Sequence, residues 1–167
     1  MDVRIVSRLL VAAMCAWVAA SAIHAQGRAA APGGSDPCGL MTKEDAAAAL
    51  GEAAGAPQAR VLGRSIVPDS TAMNCEYAGS GIHHVRLNVW HATNNVEQFR
   101  QIYQMASAKK SKEGLAGIGE SAWWYNDKHE ELQVLKGANF FSIQLRRSGD
   151  ATEAIKALAK KVSSRLP

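Results

Sequence analysis

The spacing of apolar and polar residues predicts strands in two groups of three. The clearest strand lies at 82–91, where Val85, Leu87 and Val89 alternate with polar neighbours and so share one face. Apolar and β-branched runs bounded by turn residues predict five further strands, at 60–67, 73–77, 122–125, 131–136 and 140–147. We expect neighbouring strands within each group to pair through hairpins.

Helical spacing separates and flanks these groups. A first helix begins at Thr42, carries acidic residues in its first turn and ends at Gly51. Apolar residues at a period near 3.6 predict two more helices, at 93–108 and at 150–166. The order predicts an α+β fold, with a mainly antiparallel sheet and the helices on one face. It also suggests a duplicated α-β-β-β unit followed by a C-terminal helix.

The first 25 residues have the pattern of an export signal. Arg4 and Arg8 precede an apolar run at 9–20, and small residues follow as far as Ala25. The run is shorter than the roughly 20 residues that cross a bilayer, so it does not indicate a transmembrane anchor. We therefore expect a signal peptide at 1–25, although Ala22 is an alternative cleavage site. A flexible lead-in rich in Ala, Gly and Pro follows at 26–36, and a single α+β domain at 37–167. The mature chain is expected to be periplasmic or secreted.

The cysteines fit this compartment. Cys15 lies inside the signal, where lipid attachment is an alternative, although Met14 before it is bulkier than a lipoprotein signal usually has. Cys38 and Cys75 remain and would enter an oxidising compartment, so we predict a disulfide between them. Two buried free thiols are the alternative. No Cys-x-x-Cys spacing indicates a redox role.

Composition and motifs exclude several classes of protein. The 167 residues are 47% hydrophobic and carry a net charge of +4, which fits one globular domain and excludes a fibrous or disordered chain. The lysines are dispersed and the chain is predicted to be exported, so nucleic acid is not expected as a partner. No hydrolase elbow, zinc-protease or phosphate-loop motif is present, and the glycines at 114, 117 and 119 indicate a backbone turn. His83 and His91 would lie about 26 Å apart along one strand, too far to bind the same metal ion, so we predict no metal site. We also predict no cofactor.

Aromatic and basic residues give the best candidate for a contact surface. The triplet Trp-Trp-Tyr at 123–125 accompanies Trp90 and the phenylalanines at 140 and 141. If one face of the sheet is left without helices, it would expose an aromatic and basic surface suited to stacking and charge. The predicted binding face consists of Trp90, Arg86, Trp124, Phe140 and Arg146. The alternative is that these rings cover one another on the sheet.

Two short motifs carry a resemblance. Pro-Cys-x-Leu at 37–40 leads into the first helix, and Gly-x-Gly-Glu-x-Ala-Trp occupies 117–123, with Cys-x-Tyr at 75–77 between them. Together they resemble small exported bacterial domains of unknown function, many of them lipoproteins. The resemblance covers most of the chain after Asp36 and implies a compact α+β domain in which Cys38 pairs with Cys75. It assigns no catalytic residues.

The sequence therefore favours an exported, disulfide-bonded binding module that is not an enzyme. Its expected partner is a protein, a glycan or a small polar ligand of unknown identity, and no transmembrane anchor is expected in the mature chain. Two alternatives stay open. One is a hydrolase whose site is assembled only in three dimensions, because such sites are recognised by geometry and not by residue order. The other is a structural protein associated with the cell envelope.

Overall fold

A computed structural model describes residues 36–64, 67 and 69–167. The predicted signal peptide at 1–25 and nearly all of the lead-in at 26–36 lie outside these residues. The described elements are α1 (Pro37–Leu40), α2 (Lys43–Leu50), β1 (Gln58–Arg64), β2 (Ser70–Ala78), β3 (His84–Ala92), α3 (Val96–Ser107), β4 (Ser121–Trp124), β5 (Glu131–Lys136), β6 (Asn139–Arg146) and α4 (Thr152–Arg165). The predicted order of helices and strands is confirmed, with the short α1 as an addition.

The strands form one antiparallel sheet within the described part of the chain. Their spatial order is β1-β2-β3-β6-β5-β4, so each group of three is a meander and the meanders meet where β3 pairs with β6. The predicted α+β class with an antiparallel sheet is thereby confirmed. The strand order also places the two predicted β-β-β groups side by side in opposite directions, as a duplicated unit would.

One face of the sheet carries the larger core. Val85, Leu87 and Val89 of β3 point to this face, and the alternate residues Phe141, Ile143 and Leu145 of β6 join them. Apolar residues of α1, α2 and α4 cover them, among them Leu40, Leu50, Ile155, Leu158 and Val162. These helices meet the expectation of a helical face, because their apolar stripes and the period-2 pattern of the strands bury each other.

The position of α3 contradicts the prediction that all helices lie on one face of the sheet. Its Phe99, Ile102 and Tyr103 pack on the opposite face, against Trp90 and Phe140 in a second core. On the helical face, Leu115 and Ile118 of the loop before β4 are buried in the main core. The apolar side chains of α3 are buried instead against the aromatic rings Trp90 and Phe140 on the opposite face of the sheet. The duplicated pattern is therefore broken at this helix.

The Gly-x-Gly-Glu segment is a backbone turn, as expected. Gly119 has a φ of 60°, and a Cβ there would overlap the Leu135 carbonyl of β5. Glu120 follows at once and joins two elements: it accepts a hydrogen bond from the Gly137 amide at 2.9 Å and pairs with Arg100 of α3 at 2.6 Å. The motif therefore places the start of β4 against β5 and fastens α3.

The predicted disulfide is present. Cys38 of α1 is bonded to Cys75 of β2, 37 positions later, and both residues are buried. The Tyr77 hydroxyl donates to the Met41 carbonyl at 3.0 Å, so a second contact joins the same two regions. Among the described helices, none has the length and apolar character needed to cross a membrane.

The first prediction concerns this covalent bond. Replacing both Cys38 and Cys75 by Ala should lower the free energy of unfolding by about 4 kcal/mol, because the unfolded chain loses its largest conformational constraint. Urea unfolding of the variant and of the oxidised parent measures the difference. The reduced parent is the matched control and should resemble the variant; equal midpoints for all three would contradict the prediction.

Asp45 joins α2 to the C-terminal helix. Its carboxylate is buried, caps the N-terminus of α2 by accepting from the Thr42 amide at 3.2 Å, and accepts from Lys161 at 3.0 Å. Arg165 donates to the same carboxylate and to the Leu40 carbonyl. Burial alone would raise the pKa of Asp45, but the hydrogen bonds from Arg165, Lys161 and Thr42 outweigh it and hold the pKa at about 2.

The second prediction follows from this depressed pKa. A carboxyl group whose pKa is lower in the folded state stabilises the protein above its unfolded value of 3.8, and that contribution is lost as pH falls from about 4 to about 2. Asp45→Asn should therefore lose about 2 kcal/mol at neutral pH and a smaller amount at pH 2. Urea midpoints between pH 2 and pH 7 test this. Asp127→Asn, in an exposed turn, is the control and should follow the parent; a loss for Asp45→Asn that is independent of pH would contradict it.

Candidate functional site

Helix α3 covers only one half of its face of the sheet. Beyond Trp90 and Phe140 the side chains of the same face become polar, beginning with Asn88, which donates to the Ser142 hydroxyl at 3.1 Å. We call the uncovered remainder the open face; it consists of Glu76, His84, Arg86, Glu131, Gln144 and Arg146. These residues alternate along their strands with residues of the main core, and cross-strand pairing brings Arg86 beside both Glu76 and Gln144.

Hydrogen bonds hold the centre of the open face in place. The Arg86 guanidinium contacts Glu76 Oε2 through Nε at 2.6 Å and through a terminal nitrogen at 2.5 Å. Glu131 accepts from Gln144 at 2.7 Å and from Gln133 at 3.0 Å, so each of its carboxylate oxygens has a partner. The amide and carboxylate groups are therefore fixed before any ligand arrives.

A depression lies at the end of the open face where β6, β5 and the 125–130 turn meet. Its volume is about 470 Å³, and its lining residues are His84, Tyr125, Asn126, Lys128, Glu130, Glu131, Gln144, Leu145 and Arg146. The Tyr125 side chain is 50% exposed, and Lys110 lies 5.0 Å from its ring centroid while donating to the Tyr125 carbonyl. An aromatic ring is thus presented to solvent at a fixed place in a polar hollow.

Two cations of this depression are unpaired. Within residues 36–64, 67 and 69–167, neither the Arg146 guanidinium nor the Lys128 ammonium has a hydrogen-bond or ion-pair partner, and both side chains are exposed. Arg86, by contrast, is already neutralised by Glu76. The positive charge available to a ligand therefore lies at Arg146 and Lys128, and the carboxylates of Glu130 and Glu131 line the same depression.

The structure separates the residues predicted to form one binding face. Arg86 and Arg146 lie on the open face. Trp90 and Phe140 lie on the same side of the sheet but under α3, where the Phe140 ring stacks on Tyr103 at 3.7 Å and lies 5.1 Å from Trp90. These two rings pack against each other and against α3, which is the alternative arrangement expected from the sequence.

Trp124 lies on the opposite side of the sheet from the face predicted for it. It is buried in the main core and stacks on His129 at 4.4 Å, while Trp123 points toward Phe140. Strand alternation then places Tyr125, two residues after Trp123, on the side that leads to the depression. The alternation of the triplet was visible in the sequence, but its phase relative to Phe140 depends on the β4–β5–β6 register.

A second polar cluster lies where the chain leaves β6 and enters β3. His83 Nδ1 is 2.9 Å from Glu52 Oε1, and His83 Nε2 is 3.1 Å from the Ser148 hydroxyl. Ser80 completes the cluster, donating to Glu52 from its amide at 2.7 Å and from its hydroxyl at 2.6 Å. Sequence motifs could not reveal this cluster, because Glu52, His83 and Ser148 come from three distant segments.

The protonation of this cluster follows from Glu52. Hydrogen bonds from the Ser80 hydroxyl and amide, and then from His83, lower the pKa of Glu52 to about 2, so the carboxylate stays ionised at neutral pH. A carboxylate only accepts, so His83 Nδ1 must carry a proton and donate it. In a neutral imidazole Nε2 is then the acceptor, and the Ser148 hydroxyl donates to it.

Comparison with known proteins adds no constraint on either cluster. The chain matches no family model, no curated protein and no solved structure. Within the described residues no group of three His, Cys, Asp or Glu side chains has an arrangement suited to a metal ion. The chemistry of the two clusters must therefore be argued from their own geometry.

The third prediction separates core rings from surface residues. Phe140→Ala and Trp124→Ala should each lower the free energy of unfolding by about 3 to 5 kcal/mol, because each leaves a cavity in one of the two cores. Ile82→Ala, at a residue 68% exposed, is the control and should change it by less than about 0.5 kcal/mol. Urea unfolding measures all three. Parent-like stability of Phe140→Ala would show that α3 does not depend on this ring.

Proposed function

We propose that the protein is an exported binding module that holds an acidic saccharide in the depression of the open face. One observation carries the proposal: the half-exposed ring of Tyr125 lies in the same hollow as the unpaired cations Arg146 and Lys128. Export is supported by the disulfide, which persists in oxidising compartments, and by the N-terminal signal pattern in the sequence.

The groups in the depression match the chemistry of such a ligand. The apolar face of a sugar ring can stack on Tyr125, and its carboxylate can pair with Arg146 in a bidentate manner. Gln144 and Glu131, already fixed by their mutual hydrogen bond, offer further groups to the hydroxyls. A volume of about 470 Å³ accommodates one or two sugar rings, within the usual range of small-ligand sites of about 300 to 1,000 Å³.

Charge, aromatic contact and shape must all contribute if this proposal is correct. The depression is open and polar, so most of its affinity should come from the cations and the ring and little from burial of apolar surface. A neutral saccharide of the same shape should therefore bind less well. A purely aliphatic anion should also bind weakly, because it gains the charge but not the stacking.

The fourth prediction compares two forms of one oligosaccharide. Short oligogalacturonate should bind the oxidised protein in a calorimetric titration, and its fully methyl-esterified form should bind about threefold to fivefold more weakly, since an ion pair with the exposed Arg146 is worth up to about 1 kcal/mol. Arg146→Gln should reduce this preference for the acid, because Lys128 is then the unpaired cation that remains. Tyr125→Ala should weaken both forms by about tenfold.

The control variant for charge is Arg60→Gln. Arg60 is exposed on β1, where it donates to Gln58, and it lies outside the depression. Its substitution should leave both affinities unchanged. Equal binding of the acid and the ester, or parent-like binding by Arg146→Gln, would reject an acidic saccharide; absence of any binding to either form would reject a saccharide site at this depression.

A further inference from the structure

We propose that Ser148, His83 and Glu52 form a serine nucleophile site that takes acyl groups from small, solvent-accessible esters. The site lies in the second polar cluster, outside the depression, and adds a hydrolytic activity to the binding function. Ser148 would be the nucleophile and His83 the general base, while Glu52 is a positioning residue that acts through His83. The argument depends on the direction of the hydrogen bonds, on the way the fold holds the three residues, and on the space beside Ser148.

The hydrogen bonds run in the direction that activates a serine. His83 Nδ1 lies 2.9 Å from Glu52 Oε1, and His83 Nε2 lies 3.1 Å from the Ser148 hydroxyl. With Glu52 ionised and the imidazole neutral, Nδ1 donates to Glu52 and the Ser148 hydroxyl donates to Nε2. Both distances lie within the 2.6 to 3.2 Å or so expected between a nucleophile, its base and the group that orients the base. An ionised Glu52 both selects the required tautomer of His83 and stabilises the imidazolium that forms when Ser148 gives up its proton.

The surrounding backbone is shaped to hold this arrangement. A Cβ at Gly79 would overlap Glu52 Oε1 and would lie 3.1 Å from His83 Cβ, so a side chain at this position would displace the Glu52 carboxylate from its place beside His83. Ser80 fixes both Glu52 oxygens, and the side chains of His83 and Glu52 are only 22% and 29% exposed. The His83–Glu52 pair is therefore held by the fold, while Ser148 is exposed.

Space for an acyl group lies next to Ser148. Gly149 has a φ of 77°, and a Cβ built there would meet no atom within 4 Å. The amide that follows a nucleophilic serine is a frequent donor to the oxyanion in hydrolases of this type. An ester carbonyl can therefore approach Ser148 from solvent without displacing any side chain at position 149.

The proposed reaction is hydrolysis of an ester through an acyl-serine. As Ser148 Oγ bonds to the carbonyl carbon, its proton passes to His83 Nε2, and the tetrahedral oxyanion then collapses. The bond to the alcohol oxygen breaks, and the leaving alcohol takes the proton from His83. Water repeats the sequence: it gives a proton to His83 and attacks the acyl carbon. Ser148 leaves with that proton, and the products are one acid and one alcohol.

The fifth prediction uses a reagent that labels activated serines. A fluorophosphonate should modify the oxidised protein once, and trypsin should place the adduct on the peptide Ser-Gly-Asp-Ala-Thr-Glu-Ala-Ile-Lys at 148–156. Ser80, the other serine of the cluster, lies in a different tryptic peptide. An adduct at Ser80, or no adduct at all under conditions that label a serine hydrolase, would overturn the proposal.

Turnover of p-nitrophenyl acetate provides the second readout. Ser148→Ala and His83→Gln should each lower kcat/KM by about 100-fold or more, because proton transfer by a placed base is worth roughly 10² to 10⁴ in rate. Glu52→Gln should lower kcat while leaving KM unchanged, since Glu52 does not touch the substrate. Ser164→Ala, at an exposed serine that donates to the Lys161 carbonyl on α4, should match the parent.

Stability measurements distinguish catalysis from folding in this series. Ser148 is exposed, so Ser148→Ala should keep the parent's urea midpoint while losing both label and turnover. Parent-like turnover in Ser148→Ala would show that the cluster only fastens the loop after β6. Saccharide binding by the same variant should be intact, so failure of this proposal can be told apart from failure of the binding proposal.

Discussion

The register of β3 against β6 is the constraint on which the other features of this protein depend. It pairs His84 with Arg146 at one end of the strands and Trp90 with Phe140 toward the other. Because alternate residues of each strand face opposite ways, this single register assigns the apolar sets to the main core and the polar sets to the other face. A shift of β3 by one residue would turn Arg86 toward the main core and Leu87 toward the other face, while β6 kept its own orientation.

The same register leaves one face of the sheet half covered. The aromatic pair at one end attracts the stripe of α3, and the charged residues at the other end offer it no apolar surface. An exact repeat of the first helix–meander unit would have put α3 on the main core instead, where Leu115 and Ile118 now lie. The departure from the repeat is therefore what creates both the aromatic stack and the open face beside it.

The sequence predicted what depends on local patterning and failed where long-range pairing decides. Period-2 alternation predicted β3, and the N-cap residue Thr42 with the terminating Gly51 predicted α2. The two cysteines outside the signal peptide predicted the disulfide. Trp124 was assigned to the wrong face of the sheet. The face to which each side chain of β4 points is set by the pairing of β4 with β5 and not by the residues of β4 alone. Tyr125 was missed as an exposed ring for the same reason.

The end of α2 explains why Glu52, His83 and Ser148 meet. Gly51 ends the helix with a φ of 75°, and Glu52 follows it directly and reaches the 79–83 turn. Arg147 donates to the Ala49 carbonyl at the same helix end and to the Asp150 carbonyl at 3.0 Å, which fastens the loop that carries Ser148. A cation at a helix C-terminus is favoured by the helix dipole. The C-terminus of α2 thus fixes Glu52, which orients His83. Through Arg147 it also fixes the loop that carries Ser148. The cluster is therefore attached to the core and not to a free loop.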